Sequence, residues 1–230
     1  APFNGYRQWL EKASPRHLDG LQKLGRKLTH VPREVHMTHW AAERTIDYIR
    51  NAKRDRPFFC LTSIFDPHNP YDGYPHEMRA RVKPELLAEP LPISGGMAGK
   101  PYGLRQEHER SYLGAFSKFS RAELMEMRLG YFASVAFMDL EFGRILQALE
   151  DKGIAGNTLV VFVSDHGDML GDHGLLVKGA HFYDGGVRVP LLMRWPGKIR
   201  PGSRCPLPVQ PHDLAATVLS AAGCLTEDTR

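Results

Sequence analysis

Two Asp-His-Gly triplets, Asp165–Gly167 and Asp172–Gly174, and a lysine, Lys178, crowd into one short stretch, VFVSDHGDMLGDHGLLVKG. The run before them is apolar and β-branched, and core packing gives no reason to follow it with carboxylates and imidazoles. Metal and anion chemistry does. A carboxylate oxygen and an imidazole nitrogen, adjacent on a tight loop at Asp165 and His166, can face one cation, and this donor pair suits a hard or borderline divalent metal. Gly167 lets the backbone turn. Two ligands are not a complete site, and a single Asp-His-Gly is equally a polar turn closing a strand. Lys178 lies thirteen residues after Asp165. Its flexible ammonium is a point-charge partner for a tetrahedral oxyanion or for charge growing on a leaving oxygen.

A second candidate stands far upstream. His68, in FDPHNPY, can donate a proton to a leaving group, because imidazole titrates near neutrality. Taken singly, His68 is also a loop histidine bonded to backbone and Lys178 a surface lysine. His173, His181, Asp184 and Arg188 have lesser claims. Asp172-His173 reads as support for the first triplet or as plain loop. Asp184 and Arg188 flank Gly185-Gly186 and read as a pair holding that turn. His181 reads as structural, or as a substrate contact alongside His68 and Lys178. His36 and His39 lack a third ligand and read as structural.

The elements that must position these residues are legible in part. The opening to about Pro32 is basic and shows no clear period. THWAAERTIDYIRNAKRD reads as a helix, with Ala42, Ile46 and Ile49 on one face and Thr38 as N-cap. FFCLTSIF, bounded by prolines, reads as a buried strand containing Cys60 as a core residue, so His68 falls just past its C-terminal end. Residues 71–119 are punctuated by Pro and Gly and read as an irregular excursion, a lid or a surface insertion, with a short helix near Glu85. Ser120-Arg121-Ala122-Glu123 fits a capping box. Leu124, Tyr131, Val135, Met138, Phe142, Ile145 and Leu149 then recur at helical spacing up to Gly153. Thr158–Val163 and Val189–Met193 read as buried strands, and a last helix starts near Asp213. Strands alternating with helices predict an α/β fold with a largely parallel sheet, whose ligands gather outside the carboxyl ends of the strands.

Composition narrows the function classes. The chain has 230 residues, 42% hydrophobic and 24% charged, and a formal net charge of +4. Its charges are interspersed, which argues against a nucleic-acid binder, although a mild positive balance helps attract an anionic substrate. No apolar run approaches the ~20 residues that span a bilayer, and APFNGYRQWLEKA holds no signal-peptide h-region. Cys60, Cys205 and Cys224 are widely spaced with no C-x-x-C, which argues against a disulfide framework or structural zinc site.

Together these segments resemble the sulfatase family of the alkaline-phosphatase superfamily. The resemblance rests on FDPHNPY, FASVAFMDLEFGRILQALEDKGIAGNTLVVFVSDHGD, GDHGLLVKGAHFYDGGVRVPLLMRWPGKI and HDLAATVLSAAG, in that order. The Asp-His form of the metal pair is similar to choline-sulfatase-like and phosphonate-monoester-hydrolase-like branches. The resemblance implies a layered α/β/α sandwich, here incomplete at the N-terminus, with 1–230 as one partial catalytic domain. It implies Asp165 and His166 as metal ligands, Lys178 as a sulfate contact and His68 near the leaving-group oxygen. The cation is calcium by preference, with manganese or magnesium as alternatives. The substrate is a small-molecule or saccharide sulfate ester. The family also uses a formylglycine made within a C-x-P-x-R type motif, and no C-x-P-x-R occurs in this sequence. The family's N-terminal aspartate pair is missing too. The expectation is therefore a sulfatase-like fragment, inactive by itself. The alternatives are a phosphonate or phosphodiester hydrolase of the same superfamily, and a binding module that retains only the fold.

Overall fold

One long helix organises the fold. The computed structural model describes residues 5–24, 29–53, 55–179 and 181–224. Its helices are α1 (Gly5–Ala13), α2 (Pro15–Leu24), α3 (Met37–Asn51), α4 (Tyr102–Arg110), α5 (Arg121–Lys152), α6 (Asp184–Val187) and α7 (Asp213–Ala221), with strands β1 (Val160–Val163) and β2 (Leu191–Arg194). Helix α5 runs for 32 residues, about 48 Å at the usual rise. The capping box forms: Glu123 N–H donates to Ser120 Oγ at 3.3 Å, and Ser120 N–H to Glu123 Oε2 at 2.8 Å. Gly153, left-handed at φ 71°, ends the helix, a conformation a Cβ would disfavour.

Three apolar clusters line α5. Ile145, Ala148 and Leu149 pack on Ala42, Ile46 and Ile49 of α3. Leu129, Ala133 and Phe137 pack on Tyr74 and Met78. Leu124 packs on Leu176 and Val177, directly before Lys178. Among these contacts lies a fully buried carboxylate, Glu141, which accepts from Arg33 Nε at 2.7 Å and Arg144 Nη1 at 2.6 Å and meets His39 Nδ1 at 3.1 Å. Burial pushes this carboxyl up, but the hydrogen bonds from His39, Arg144 and Arg33 bring it below the ordinary glutamate range.

Several expectations change. The opening does form helices, α1 and α2, with Leu10 fully buried and Tyr6 edge-on to Trp40. The N-cap of α3 is His36, whose Nδ1 accepts from Thr38 N–H at 3.2 Å. Thr38 is instead a donor to Asp66 Oδ2. FFCLTSIF forms no strand and pairs with none among the described residues. Phe58 and Thr62 turn toward α3, while Phe59, Leu61 and Cys60 are exposed, so Cys60 is not a core residue. An apolar run favours extended backbone, but a strand also needs a ladder partner.

The sheet expectation also changes. The described sheet has two strands, and β1 and β2 pair antiparallel, Val160 opposite Arg194 and Val163 opposite Leu191. Among the described residues the segment between them carries the 3-10 turn Asp172–Gly174 and the four-residue α6, neither of them the packed crossover helix that usually joins parallel neighbours. The 71–119 segment carries α4, which the sequence did not announce, and a 3-10 turn at Pro84–Leu86. It is tied down by a bidentate Arg79–Glu126 pair and by His108 Nδ1, which donates to Gly174 O at 2.7 Å. Among the described residues no helix is long and apolar enough to cross a membrane.

Candidate active site

The turn after β1 is locked by backbone. Ser164 Oγ donates to His166 O at 2.8 Å, and Gly167 N–H to Gly186 O at 2.8 Å. A Cβ on Gly167 would stand 2.0 Å from Gly185 O, so only glycine lets α6 lie against this turn. The carboxylate of Asp165 is 87% exposed, and its Oδ2 lies 3.7 Å from His166 Nε2. His166 Nδ1 sits 2.7 Å from Gly167 O. A carbonyl only accepts, so Nδ1 carries the hydrogen and the lone pair at Nε2 is left free. The result is an oxygen and a nitrogen donor side by side, with the imidazole oriented by a backbone carbonyl as metal-binding histidines commonly are.

His68 is fixed by the same logic. Its Nδ1 donates to Asn69 O at 2.8 Å, and its ring lies 4.5 Å from that of Phe65. The bare Nε2 then accepts from Lys178 Nζ at 2.6 Å. The rings of His68 and His166 are 6.4 Å apart. Residues separated by up to 110 positions thus meet on one face: His68, Lys178 and the Asp165–His166 turn.

One residue in this region was not singled out from sequence. Asp168 Oδ1 accepts the backbone N–H of Lys178 at 2.7 Å and of Met169 at 3.0 Å, and Oδ2 accepts Tyr71 O–H at 2.7 Å. Burial, reinforced by the Asp168 charge, holds the Tyr71 phenol far above its ordinary range. The aspartate was visible in D-H-G-D, but its partner lies 97 residues away, and no local pattern announces such a contact.

The remaining candidates separate. Asp172 is structural: Oδ1 accepts Leu91 N–H at 2.9 Å and the guanidinium of Arg128, which also donates to Leu170 O at 3.0 Å. His173 is left-handed at φ 56° and stacks on Tyr183, centroids 4.3 Å apart. Asp184 and Arg188 do pair, at 3.1 Å along α6. His36 and His39 serve α3 and Glu141. His181 is buried, and neither ring nitrogen has a hydrogen-bond partner among the described residues; its ring lies 5.9 Å from that of Tyr183. Among the described residues, no group of three or more His, Cys, Asp or Glu comes together to hold a metal.

A family model described as Sulfatase matches residues 10–224. The chain is 34% identical to an arylsulfatase of Clostridium perfringens, over 74% of this chain and 34% of that protein. It is 33% identical to a choline-sulfatase of Rhizobium meliloti, over 78% of this chain and 34% of that protein. Its fold matches that of a phosphonate monoester hydrolase from Silicibacter pomeroyi with a TM-score of 0.71 and 23% identity, covering 93% of this chain and 47% of that one. The chain spans about a third of the length of the curated relatives it matches.

Proposed function

Because this chain belongs to the sulfatase family, we propose that it is part of an enzyme that hydrolyses sulfate monoesters. The observation that carries this reading is the 2.6 Å contact of Lys178 Nζ with His68 Nε2 beside the Asp165–His166 turn. Lys178 would donate to nonbridging sulfate oxygens. His68 Nε2 faces the same side and accepts from Lys178 Nζ at 2.6 Å, so a proton passed through Nε2 to the departing alcohol oxygen would come from the Lys178 ammonium or from the imidazole once protonated. His181 is the candidate contact for the alcohol part, a saccharide or small molecule.

The donor set at Asp165 and His166 fits a divalent cation, calcium first, with manganese or magnesium as alternatives. When bound, such an ion supplies Lewis-acid stabilisation of developing negative charge. The nucleophile is assigned to no side chain here, since no C-x-P-x-R is present. The layered α/β/α sandwich with a largely parallel sheet belongs to this proposal for the whole catalytic domain. Residues 71–119 are an insertion in that domain, laced to α5 and to the second triplet by Arg79, Leu91 and His108.

The test uses both chain lengths. Residues 1–230 with an aryl sulfate and calcium should show no turnover, and the full-length protein should show metal-dependent turnover. Robust hydrolysis by 1–230 alone would sink the fragment reading. A full-length protein that prefers phosphonate esters belongs to the phosphonate hydrolases, and one that binds sulfate esters without cleaving them is a binding module.

A further inference from the structure

We propose that Asp168 is a positioning residue that sets the Lys178–His68 pair by holding both of their segments on one carboxylate. This rests on the sulfatase reading of the site. Asp168 is not a catalytic residue, since its oxygens are taken by backbone and by Tyr71. Its Oδ1 receives the N–H of Lys178 itself, at 2.7 Å. Its Oδ2 receives the hydroxyl of Tyr71, at 2.7 Å, three residues beyond His68. The carboxylate belongs to the loop that also presents Asp165 and His166. One side chain therefore joins all three site segments.

Two features make this connection rigid. Tyr71 is 8% exposed, and its carbonyl is packed against α5 at Gly130, where an added Cβ would stand 2.0 Å from Tyr71 O. The tyrosine is thereby pinned at its backbone end by the helix and at its hydroxyl end by Asp168. In addition, the donors to Asp168 are neutral, and among the described residues it forms no salt bridge. Asp172, in the neighbouring triplet, is instead matched to a guanidinium. A carboxylate held only by aimed neutral donors is a geometric clamp, since each hydrogen bond fixes direction as well as distance. Among the described residues, Lys178–His68 and Tyr71–Asp168 are the hydrogen bonds that join the two loops, so the length of the first depends on the second.

The experiment compares Asp168→Asn, Asp168→Ala and Tyr71→Phe in the full-length protein. The isosteric amide can keep its oxygen on the two backbone N–H groups and turn its NH2 toward the Tyr71 hydroxyl, which can accept, so it should be milder than alanine, which removes all three bonds. For an aryl sulfate we expect kcat to fall roughly 10–100-fold in Asp168→Ala, with little change in KM and smaller falls in Asp168→Asn and Tyr71→Phe. Calcium affinity, titrated calorimetrically, should stay unchanged. Crystal structures of the variants should show Lys178 Nζ and His68 Nε2 drawn beyond hydrogen-bond distance. Wild-type kcat in Asp168→Ala and Tyr71→Phe, with the short contact retained, would overturn the proposal, and so would a uniform loss with calcium affinity. If Asp168→Ala does not fold, Tyr71→Phe decides, because it removes a single hydroxyl. If the wild-type protein does not cleave the aryl sulfate, the sulfatase reading fails, and the Lys178–His68 distance in Tyr71→Phe still decides the positioning role.

Discussion

Replacing Gly130 by alanine should destabilise this protein, while the same change at Gly143 of the same helix should stabilise it. An alanine in a helix interior is worth about 1 kcal/mol over glycine. Gly143 is exposed, and an added Cβ there meets nothing within 4 Å, so it should gain most of that. At Gly130 the new Cβ stands 2.0 Å from Tyr71 O and 3.0 Å from Tyr71 C. A tolerable carbon–oxygen contact is about 3.3 Å, so helix and loop must part by roughly 1.3 Å. The obstructing atoms are backbone, which cannot swing aside as a side chain can. Overpacking of this kind costs about 1–3 kcal/mol, and the two variants should differ by roughly that amount in urea unfolding followed by circular dichroism. The same displacement carries His68, three residues before Tyr71, away from the 2.6 Å contact with Lys178. A misplacement near 1 Å can cost about 100-fold in rate, so aryl-sulfate turnover by full-length Gly130→Ala should fall by that order and Gly143→Ala should be normal. If the two variants match in both stability and turnover, the notch at Gly130 does not position the loop.

Three further outcomes follow from particular contacts. Burial lowers the pKa of His36 in spite of Asp66 at 3.7 Å and Glu141 nearby. Its folded value then lies below the unfolded value of about 6.5, so the unfolded chain binds the extra proton between them; stability is full above that pH and is lost as pH falls. His36→Asn keeps an acceptor for Thr38 N–H without titrating, and its Tm should fall less between about pH 7 and pH 5 than that of wild type; equal slopes refute this. Asp172→Ala leaves the Arg128 side chain, 9% exposed, without its carboxylate, and denaturant unfolding should show a loss of roughly 3–5 kcal/mol; a loss below about 1 kcal/mol, the level of an exposed pair, would mean that the guanidinium finds another partner. Lys178→Ala in the full-length protein should lower kcat for an aryl sulfate roughly 10²–10³-fold, and a loss under tenfold would remove Lys178 from the chemistry.

Local signals and distant contacts were unequally legible in the sequence. The capping box at Ser120 and the left-handed stop at Gly153 are defined by a few adjacent residues, and both appear as read. The last helix near Asp213 also appears, as do both strands, β1 and β2 each starting two residues later than the apolar runs suggested. Their antiparallel pairing did not show, because strand direction depends on the path between strands, and a hydrophobic run carries no direction. At α3, Thr38 is a good N-cap by composition, yet Asp66 takes its hydroxyl and His36 caps the helix. Local propensity named the residue type, and a contact 28 positions away decided its use. His68 and Lys178 were paired only through family resemblance; their spacing of 110 residues holds no physical hint that they touch.

The two Asp-His-Gly triplets show why such motifs have to be judged by their surroundings. Both begin with the same three residues, each followed within a few positions by a buried apolar side chain. Asp172 has a side chain 22% exposed, because Arg128 on α5 reaches it and Leu91 N–H adds a second bond. Its acceptor capacity serves packing, and it has little left to offer a cation. Asp165 is 87% exposed, and its hydrogen bond is to the N–H of the next residue. That leaves most of its acceptor capacity directed at solvent, beside a histidine whose Nε2 lone pair is also free. What separates the candidate ligand from the scaffold is thus the position of α5, which brings Arg128 to the second triplet. At the first, Asp168 completes the arrangement from three residues further on: it takes the N–H of Lys178 and the hydroxyl of Tyr71, and Asp165 stays uncommitted. An Arg128→Met exchange with Asp172 intact would test this division, since it frees the second carboxylate without supplying the histidine geometry of the first. Calcium affinity measured by calorimetry should not rise in that variant, and a new calcium site appearing there would show that the triplet alone is sufficient.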